Sequence, residues 1–263
     1  MVLPALGVSF ACAAFALVPA TSASATSHSD LHGAKNAAVR LAGIKYGHNI
    51  GGPARIGSTA KAASTAKHGY NIDGQNWSGA AAQGSGFSTV TSSWTEPSVS
   101  CNSSNDLMAP WVGIDGYGSS SVEQTGVATD CSTGSAEYAG WYEMYPAAPV
   151  YYDNPVAAGD SISASVTRSG TSYALVLTDN TQGWSKTFNG SYNGANASAE
   201  VIIESPTGAY PSFGSVNFSG STIDGSDLAS YSPDLLDASN SSGFEDHTSA
   251  VSGGDFSISF EQE

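Results

Sequence analysis

The sequence predicts an all-β fold from about residue 75 to the end of the chain. Three observations support this prediction. Short apolar or alternating runs recur along the region, residues typical of turns separate them, and helical periodicity is confined to residues 31–47. Strands at this spacing are typical of a β-sandwich or a β-barrel. About 190 residues suffice for a single core, so residues 71–263 are expected to form one domain.

Residues 1–25 have the pattern of a secretory signal peptide. Leu3 to Ala20 is almost continuously apolar, and Ala23-Ser24-Ala25 supplies a small-x-small cleavage pattern, although no Lys or Arg precedes the apolar run. A single membrane anchor is the alternative, because the run is just long enough to span a bilayer. The cleavage pattern favours a secreted, extracellular protein that has no membrane attachment after processing.

Charge divides the chain near residue 70. Residues 1–70 carry six basic residues and one acidic residue, a net charge of +5, whereas residues 71–263 carry two basic and 22 acidic residues, a net charge of −20. Such a division indicates two segments that differ in structure or in processing. A disordered basic linker is one interpretation of residues 26–70. We favour a propeptide that lies against the acidic domain until it is removed.

The acidic composition of residues 71–263 restricts the partners of this domain. A strongly negative surface repels nucleic acid, so a DNA-binding or RNA-binding role is not expected. Near pH 3 to 4 many carboxylates are protonated, and few cations remain to repel one another. The composition therefore fits a protein that works in acid, although exported proteins are often acidic for solubility alone.

The strand-like runs follow one another along the domain. Examples are FSTVTSSWTEP (87–97), APWVGIDG (109–116), AGWYEMYP (139–146), SISASVTRSG (161–170), SYALVLTDN (172–180), AEVIIESP (199–206), GSVNFSGSTI (214–223) and DFSISFEQE (255–263). Each combines β-branched or aromatic residues with a turn signal at one end or both, which is the usual composition of short strands.

Two cysteines remain after the signal peptide is removed. Cys101 and Cys131 flank two strand-like runs, 109–116 and 122–129, which a Gly-Ser loop joins. A hairpin of this shape brings its outer ends together, and an even number of cysteines in an exported chain favours a disulfide. We therefore predict a Cys101–Cys131 disulfide.

The residue inventory excludes several kinds of catalytic site. Four of the five histidines precede residue 70, and His247 lies in a polar stretch that we interpret as a surface loop, so a Ser-His-Asp triad has little support. Metal ligands of the His and Cys kind are lacking, and no glycine-rich loop follows a strand and opens a helix. Carboxylate and carboxamide chemistry remains, with no metal or cofactor.

Polar side chains on strands mark where this chemistry would lie. In AEVIIESP, alternation directs Glu200 and Glu204 to one face, and Val201 and Ile203 to the core. Burying ionised groups is costly, so such a face is either solvated or functional. Taken alone, each polar strand is explained more simply as a solvated outer face.

Two further segments have the same character. PWVGIDGYGSSSVEQTG carries Trp111 and Asp115 on one strand and Gln124 on the next. In GWYEMYP, alternation places Trp141, Glu143 and Tyr145 on one face. This face is too polar for an ordinary core.

Taken together, these motifs resemble those of the glutamic peptidases, the eqolisins. The resemblance rests on NWSGA (76–80), WVGIDG (111–116) followed by QTG (124–126), WYEMYP (141–146) and AEVIIE (199–204), in the order and approximate spacing of that family. It is close from about residue 75 to about residue 210 and weaker beyond.

The resemblance implies a fold and a set of site residues. The fold would be a β-sandwich of two large antiparallel sheets. The catalytic dyad would be Gln124 and Glu204, whereas Glu200 would not be catalytic. The substrate-binding residues carried over from the family are Trp77, Trp111, Asp115, Glu143 and Tyr145.

One residue departs from the family pattern. Ala139 stands where the family has an aspartate, so a hydrogen bond near the cleft would be missing or supplied by Glu137.

The dyad predicts a mechanism. Glu204 would take a proton from water and return it to the leaving amine, while Gln124 would hold the water and stabilise the oxyanion. We expect an extended polypeptide as substrate, the chain's own propeptide as an intramolecular inhibitor, and a monomeric enzyme.

Two alternatives keep the sandwich and change the function. In the first, Glu143 and Glu204 are the acid and nucleophile of a retaining glycosidase, which requires carboxyl groups about 5 Å apart. A non-catalytic carbohydrate-binding module would instead rely on Ser/Gly-rich turns and an exposed Tyr151-Tyr152 pair. Neither alternative requires the ordered set of motifs.

Overall fold

The computed structural model describes residues 69–262. The predicted signal peptide, residues 1–25, and nearly all of the predicted propeptide, residues 26–70, lie outside the described residues. Within residues 69–262, none of the structure is α-helical, and a single short 3₁₀ helix spans Leu228–Tyr231. No helix in this part of the chain has the length and apolar character needed to cross a membrane.

Seventeen β-strands form the described part of the chain. They are β1 Ile72–Gln75, β2 Trp77–Gln83, β3 Thr89–Thr95, β4 Leu107–Ile114, β5 Val122–Asp130, β6 Glu137–Tyr145, β7 Val150–Tyr151, β8 Ser161–Ser169, β9 Ser172–Asp179, β10 Trp184–Ser191, β11 Ser198–Glu204, β12 Ser215–Ile223, β13 Ser226–Asp227, β14 Asp234–Asn240, β15 Gly243–Phe244, β16 Asp246–Thr248 and β17 Phe256–Phe260.

The strands form two sheets, which confirms the predicted β-sandwich. The nine-stranded sheet has the order β1-β14-β2-β11-β4-β5-β6-β7, with β15 beside β14. The eight-stranded sheet has the order β10-β9-β8-β3-β12-β17-β16, with β13 beside β12. Pairing among the described strands is antiparallel except between β1 and β14. Strand β11 therefore lies between β2 and β4, and β5 and β6 follow next to them.

The main core fills the space between the two sheets. Alternation directs Val201 and Ile203 of β11 into it, as the sequence predicted. On the eight-stranded sheet, β3 packs against β11, and Val90 of β3 belongs to the same apolar cluster. This apolar layer fixes the register of β11 and so directs the remaining side chains of the strand to the other face.

The outer face of the nine-stranded sheet is also buried. A second apolar cluster there contains Trp77, Trp111, Trp141 and Ile202, all with no exposed surface. The interpretation of these polar strands as a solvated outer face is therefore wrong. We call the face that carries this cluster the tryptophan face.

The β4–β5 hairpin has the predicted form. Strands Leu107–Ile114 and Val122–Asp130 pair antiparallel, with Leu107 opposite Asp130. This pairing brings Cys101 and Cys131 to a Cα–Cα distance of 5.6 Å, and they form the predicted disulfide. The disulfide ties the segment before β4 to the end of β5.

Gly126 in the QTG motif allows two strands to approach closely. A Cβ atom at this position would lie 2.1 Å from the carbonyl oxygen of Pro110 and 2.7 Å from Cβ of Trp111. Only a glycine fits at such a close backbone approach. The motif therefore seats Trp111 against β5, two residues from Gln124.

Candidate active site

Gln124 and Glu143 form a hydrogen-bonded pair on the tryptophan face. They lie directly opposite each other on β5 and β6, and Nε2 of Gln124 donates to Oε2 of Glu143 at 2.8 Å. Both side chains are buried. Because the orientation of an amide is set by its hydrogen bonds, this contact fixes which way the Gln124 oxygen points.

Burial raises the pKa of Glu143 to about 9. The hydrogen bond from Gln124 opposes this rise, and the negative charge of Glu204 adds to it. Glu143 is therefore a neutral carboxylic acid at acid and neutral pH. The electrostatic effect of Glu204 on Glu143 connects the two predicted glutamates across the sheet.

Glu204 is the last residue of β11 and lies between two neighbouring strands. Its register partners are Trp77 on β2 and Ala109 on β4. The carboxyl group is buried, and its Oε1 accepts a hydrogen bond of 2.9 Å from Nδ2 of Asn76. The strand thus ends with a carboxyl group held beside the aromatic side chain of Trp77.

Glu200 occupies a different environment on the same strand. Backbone register places it in one cross-strand row with Gly113 and Gln124, which would favour Glu200 as the partner of the amide. Its Oε1, however, accepts a hydrogen bond of 3.3 Å from the backbone N–H of Tyr117. Complete burial raises the pKa of Glu200 well above its usual range, although a hydrogen bond from Ser198 opposes the rise.

The two predicted cleft tryptophans contact each other. The rings of Trp77 and Trp111 meet edge to face, with centroids 4.9 Å apart and planes at 80°. Tyr145, at the end of β6, is partly buried against the same apolar cluster. The structure therefore places these three aromatic residues on the tryptophan face together with Glu143 and Glu204.

Asp115 has a different setting from the other predicted site residues. It follows β4 directly, has a φ of 68°, and is fully buried. Its two carboxylate oxygens accept hydrogen bonds from the backbone N–H groups of Asn196 and Ala197, at 2.7 and 2.9 Å. These contacts anchor the segment that leads into β11, and a part in substrate binding stays a prediction.

Ala139 stands at the family's aspartate position, and Glu137 was considered as its substitute. Ala139 is buried opposite Ala128 in the β5–β6 pairing. Glu137 is at the start of β6, where its Oε1 accepts a hydrogen bond of 3.2 Å from Thr133. The contact of Glu137 is thus with the turn before β6.

Sequence reasoning missed one residue that contacts the predicted dyad. Asn76 was part of a family motif, but it was not among the predicted site residues. A lone amide has no periodicity or spacing that marks it, so its contact with Glu204 could be recognised only from tertiary structure. Its place in the NWSGA motif, next to Trp77, was the available signal.

Two surface assignments also need correction. His247 lies on the short strand β16, where its Nδ1 is 3.0 Å from Oδ2 of Asp237, and not in a loop. Tyr151 and Tyr152 are partly buried instead of exposed. Tyr151 packs against the tryptophan face, and the ring of Tyr152 lies 5.6 Å from that of Tyr142.

The fold and the site define a class of protein. Buried carboxyl groups beside an amide and aromatic side chains, on one face of a β-sandwich, are the components of an acid–base hydrolase.

Comparison with known proteins gives the family. The sequence model of the Peptidase A4 family matches residues 75–259, well over half of the chain. This chain therefore belongs to the Peptidase A4 family, the glutamic peptidases, and is a glutamic endopeptidase by class.

Two curated relatives and one solved structure support this membership. Aspergillopepsin-2 of Aspergillus niger is 33% identical over 190 residues, which cover 58% of this chain and 67% of the relative. Scytalidopepsin B of Scytalidium lignicola is 37% identical over 165 residues, which cover 60% of this chain and 59% of the relative. The match thus spans less than two thirds of the latter protein.

The solved structure is scytalido-glutamic peptidase with a peptide-based transition state analog. It has a TM-score of 0.63 and 29% identity, and the match covers 71% of this chain and 98% of that one.

Proposed function

We propose that this chain is a secreted, acid-acting endopeptidase that cleaves extended polypeptides with Glu204 and Gln124. The observation that carries the proposal is the buried pair of Gln124 and Glu143, on whose carboxyl group the charge of Glu204 acts. Membership of the glutamic peptidases supports this assignment.

In the proposed mechanism, Glu204 is the general base and then the general acid. Its carboxylate takes a proton from a water molecule, whose oxygen attacks the carbonyl carbon of the scissile peptide bond. The resulting tetrahedral intermediate collapses when the C–N bond breaks, and Glu204 returns the proton to the leaving amine. No metal or covalent nucleophile takes part.

Gln124 has two parts to play in this scheme. Its amide oxygen holds the attacking water, and an amide N–H donates to the developing oxyanion. One N–H of Nε2 is directed to Glu143 at 2.8 Å, and the second N–H of the same group is the proposed donor to the oxyanion. A neutral amide keeps this ability at any acid pH.

The tryptophan face supports binding of an extended peptide. The indole N–H groups of Trp77, Trp111 and Trp141 are buried there and make no hydrogen bond within residues 69–262. Indole N–H groups without a partner can donate hydrogen bonds to the carbonyl oxygens of a bound peptide. The solved relative that contains a peptide-based transition state analog is consistent with a polypeptide substrate.

The leader is part of the proposal. We propose that residues 1–25 direct export and that residues 26–70, with their excess of positive charge, act as an inhibitory propeptide on the acidic domain. Protonation of carboxyl groups would weaken this attraction in acid. Equal activity at about pH 6 for the chain with and without residues 26–70 would contradict the inhibitory role.

The central test is proteolysis of denatured casein at about pH 3 to 4, with and without an inhibitor of aspartic peptidases. We expect cleavage that resists the inhibitor and is lost in both Glu204→Gln and Gln124→Ala. Release of sugar from a polysaccharide, or sugar binding without turnover, would instead support the glycosidase or the binding module.

A further inference from the structure

Asn76 contacts the proposed general base from a neighbouring part of the sheet. It is the single residue between β1 and β2, and its Nδ2 donates a hydrogen bond of 2.9 Å to Oε1 of Glu204. One of the two carboxylate oxygens of Glu204 is therefore held by a neutral donor from the β1–β2 connection.

The backbone of Asn76 is itself tied to the segment that follows Glu204. Its carbonyl oxygen accepts hydrogen bonds of 2.9 Å from the backbone N–H of Ser205 and of 2.9 Å from the hydroxyl of Tyr210. The Tyr210 hydroxyl is also 3.2 Å from the carbonyl oxygen of Ile203, and its side chain is buried. Asn76 is thus joined to β11 and the following turn by both its main chain and its side chain.

We propose that the Asn76 side chain is a positioning residue that holds the Glu204 carboxylate in its working orientation and charge state. This inference rests on the proposed function of Glu204 as the general base. A hydrogen bond to Oε1 fixes rotation of the carboxyl group, and so fixes the direction of the second oxygen as well. An amide N–H donor also favours the ionised form of the carboxyl group.

The groups around Glu204 show why such a donor matters. The Glu143 carboxyl group on β6 and the Tyr210 hydroxyl both interact electrostatically with Glu204. A negative charge on either would oppose ionisation of Glu204, and the sheet is buried at this point. Asn76 supplies a donor that cannot acquire a charge in acid and hence acts at every working pH.

A purely structural role for Asn76 makes a different prediction. The bonds to Ser205 and Tyr210 use the main-chain carbonyl oxygen of Asn76, which any replacement retains. The bond to Glu204 uses the side-chain amide. A change of the side chain therefore removes the bond to Glu204 and leaves the main-chain bonds to Ser205 and Tyr210 in place.

The test compares Asn76→Ala and Asn76→Asp with the control Asn240→Ala. Asn240 makes a matched contact with a glutamate that is not among the predicted site residues, from Nδ2 to Oε1 of Glu245 at 2.9 Å. Peptide hydrolysis is measured from about pH 2 to about pH 6, with kcat and KM determined separately. Thermal unfolding of each variant reports on the fold.

We expect Asn76→Ala to lower kcat about 10- to 100-fold, with KM changed less than about twofold, because a misplaced reacting group costs rate. The acidic limb of its pH profile should move to higher pH. Asn76→Asp should retain activity only at the acid end, because the new carboxyl group donates when protonated and repels Glu204 when ionised. Asn240→Ala should keep the wild-type kcat and pH profile.

The outcomes separate this inference from the proposed function. If Glu204→Gln is inactive but both Asn76 variants keep wild-type kcat and pH profile, the positioning role is wrong and the dyad stands. If Glu204→Gln is fully active, the dyad itself is wrong and the positioning role fails with it. Loss of the fold in both Asn76 variants, with Asn240→Ala folded, would also overturn the inference, because it would show a structural role.

Discussion

Nε2 of Gln124 donates a 2.8 Å hydrogen bond to Oε2 of Glu143, across the β5–β6 pairing. Burial raises the pKa of Glu143 to about 9, so the acceptor is a neutral carboxylic acid in acid solution. A neutral acid and an amide have similar shape and can both accept from Gln124. The contact therefore predicts that Glu143 orients Gln124 without carrying charge.

We expect Glu143→Gln to keep kcat/KM within a few-fold of wild type at about pH 3 to 4, whereas Glu143→Ala loses about 10- to 100-fold, because the Gln124 amide is no longer oriented. Steady-state kinetics on a peptide substrate measure both. The control is Glu137→Gln, which changes a carboxyl group bonded to Thr133 at the start of β6. Equal impairment of Glu143→Gln and Glu143→Ala would show that the carboxyl group itself is required.

The two glutamates of β11 should respond differently to the same substitution. Glu204→Gln removes the proposed base and should lower kcat about 100- to 10,000-fold, the usual contribution of general acid–base catalysis. Glu200→Gln should leave kcat nearly unchanged in acid, because burial already raises the pKa of Glu200 well above its usual range and keeps it neutral.

This pair of variants is matched in strand, burial and chemistry, so each serves as the control of the other. Loss of activity in Glu200→Gln with an active Glu204→Gln would reverse the assignment. Such a result would agree with the backbone register, which places Glu200 in the row of Gln124.

The buried carboxyl groups predict that the domain is most stable in acid. Burial raises the pKa of Glu96 to about 7, of Glu123 to about 8 and of Asp246 to about 8. In the unfolded chain these groups titrate near pH 4. The stabilising effect is complete below about pH 4 and is lost as the pH rises through about 7 to 8, because the unfolded state ionises first.

Thermal unfolding of the domain at a series of pH values tests this expectation. We expect Tm to fall steadily from about pH 4 to about pH 8. Glu96→Gln should reduce the slope, because it removes one buried titrating group and leaves an acceptor for the indole N–H of Trp94, which bonds Oε2 at 2.9 Å. A Tm that is constant or rises over this range would contradict the prediction.

Gly126 should be intolerant of any side chain. A Cβ atom there would lie 2.1 Å from the carbonyl oxygen of Pro110, so Gly126→Ala must displace β4 from β5. The control is Gly134→Ala, where φ is 87° and no atom lies within 4 Å of the added Cβ. The control should cost only the backbone strain, about 1 to 2 kcal/mol.

Denaturant unfolding measures both changes, and we expect the larger loss of unfolding free energy for Gly126→Ala. A smaller loss for Gly126→Ala than for Gly134→Ala would show that the two strands can separate without cost.

Local pattern was enough to predict strands such as β8 and β9 and the core face of β11. The alternation in AEVIIESP directs Val201 and Ile203 to the interior because the side-chain period of a strand is two residues. The Cys101–Cys131 disulfide followed equally from the hairpin between the two cysteines. These features depend on residues close together in the sequence.

Contacts between distant segments were decided only by tertiary structure. Alternation places Glu200 and Glu204 on the same face, but the fold bonds Glu200 to the backbone of Tyr117 and Glu204 to Asn76. The latter two residues are 128 positions apart and meet because β11 pairs with β2. The sequence by itself determined the residue types and the face on which they lie. Strand order determined their neighbours, and with them which carboxyl groups burial keeps neutral, because desolvation depends on all the elements packed around a group.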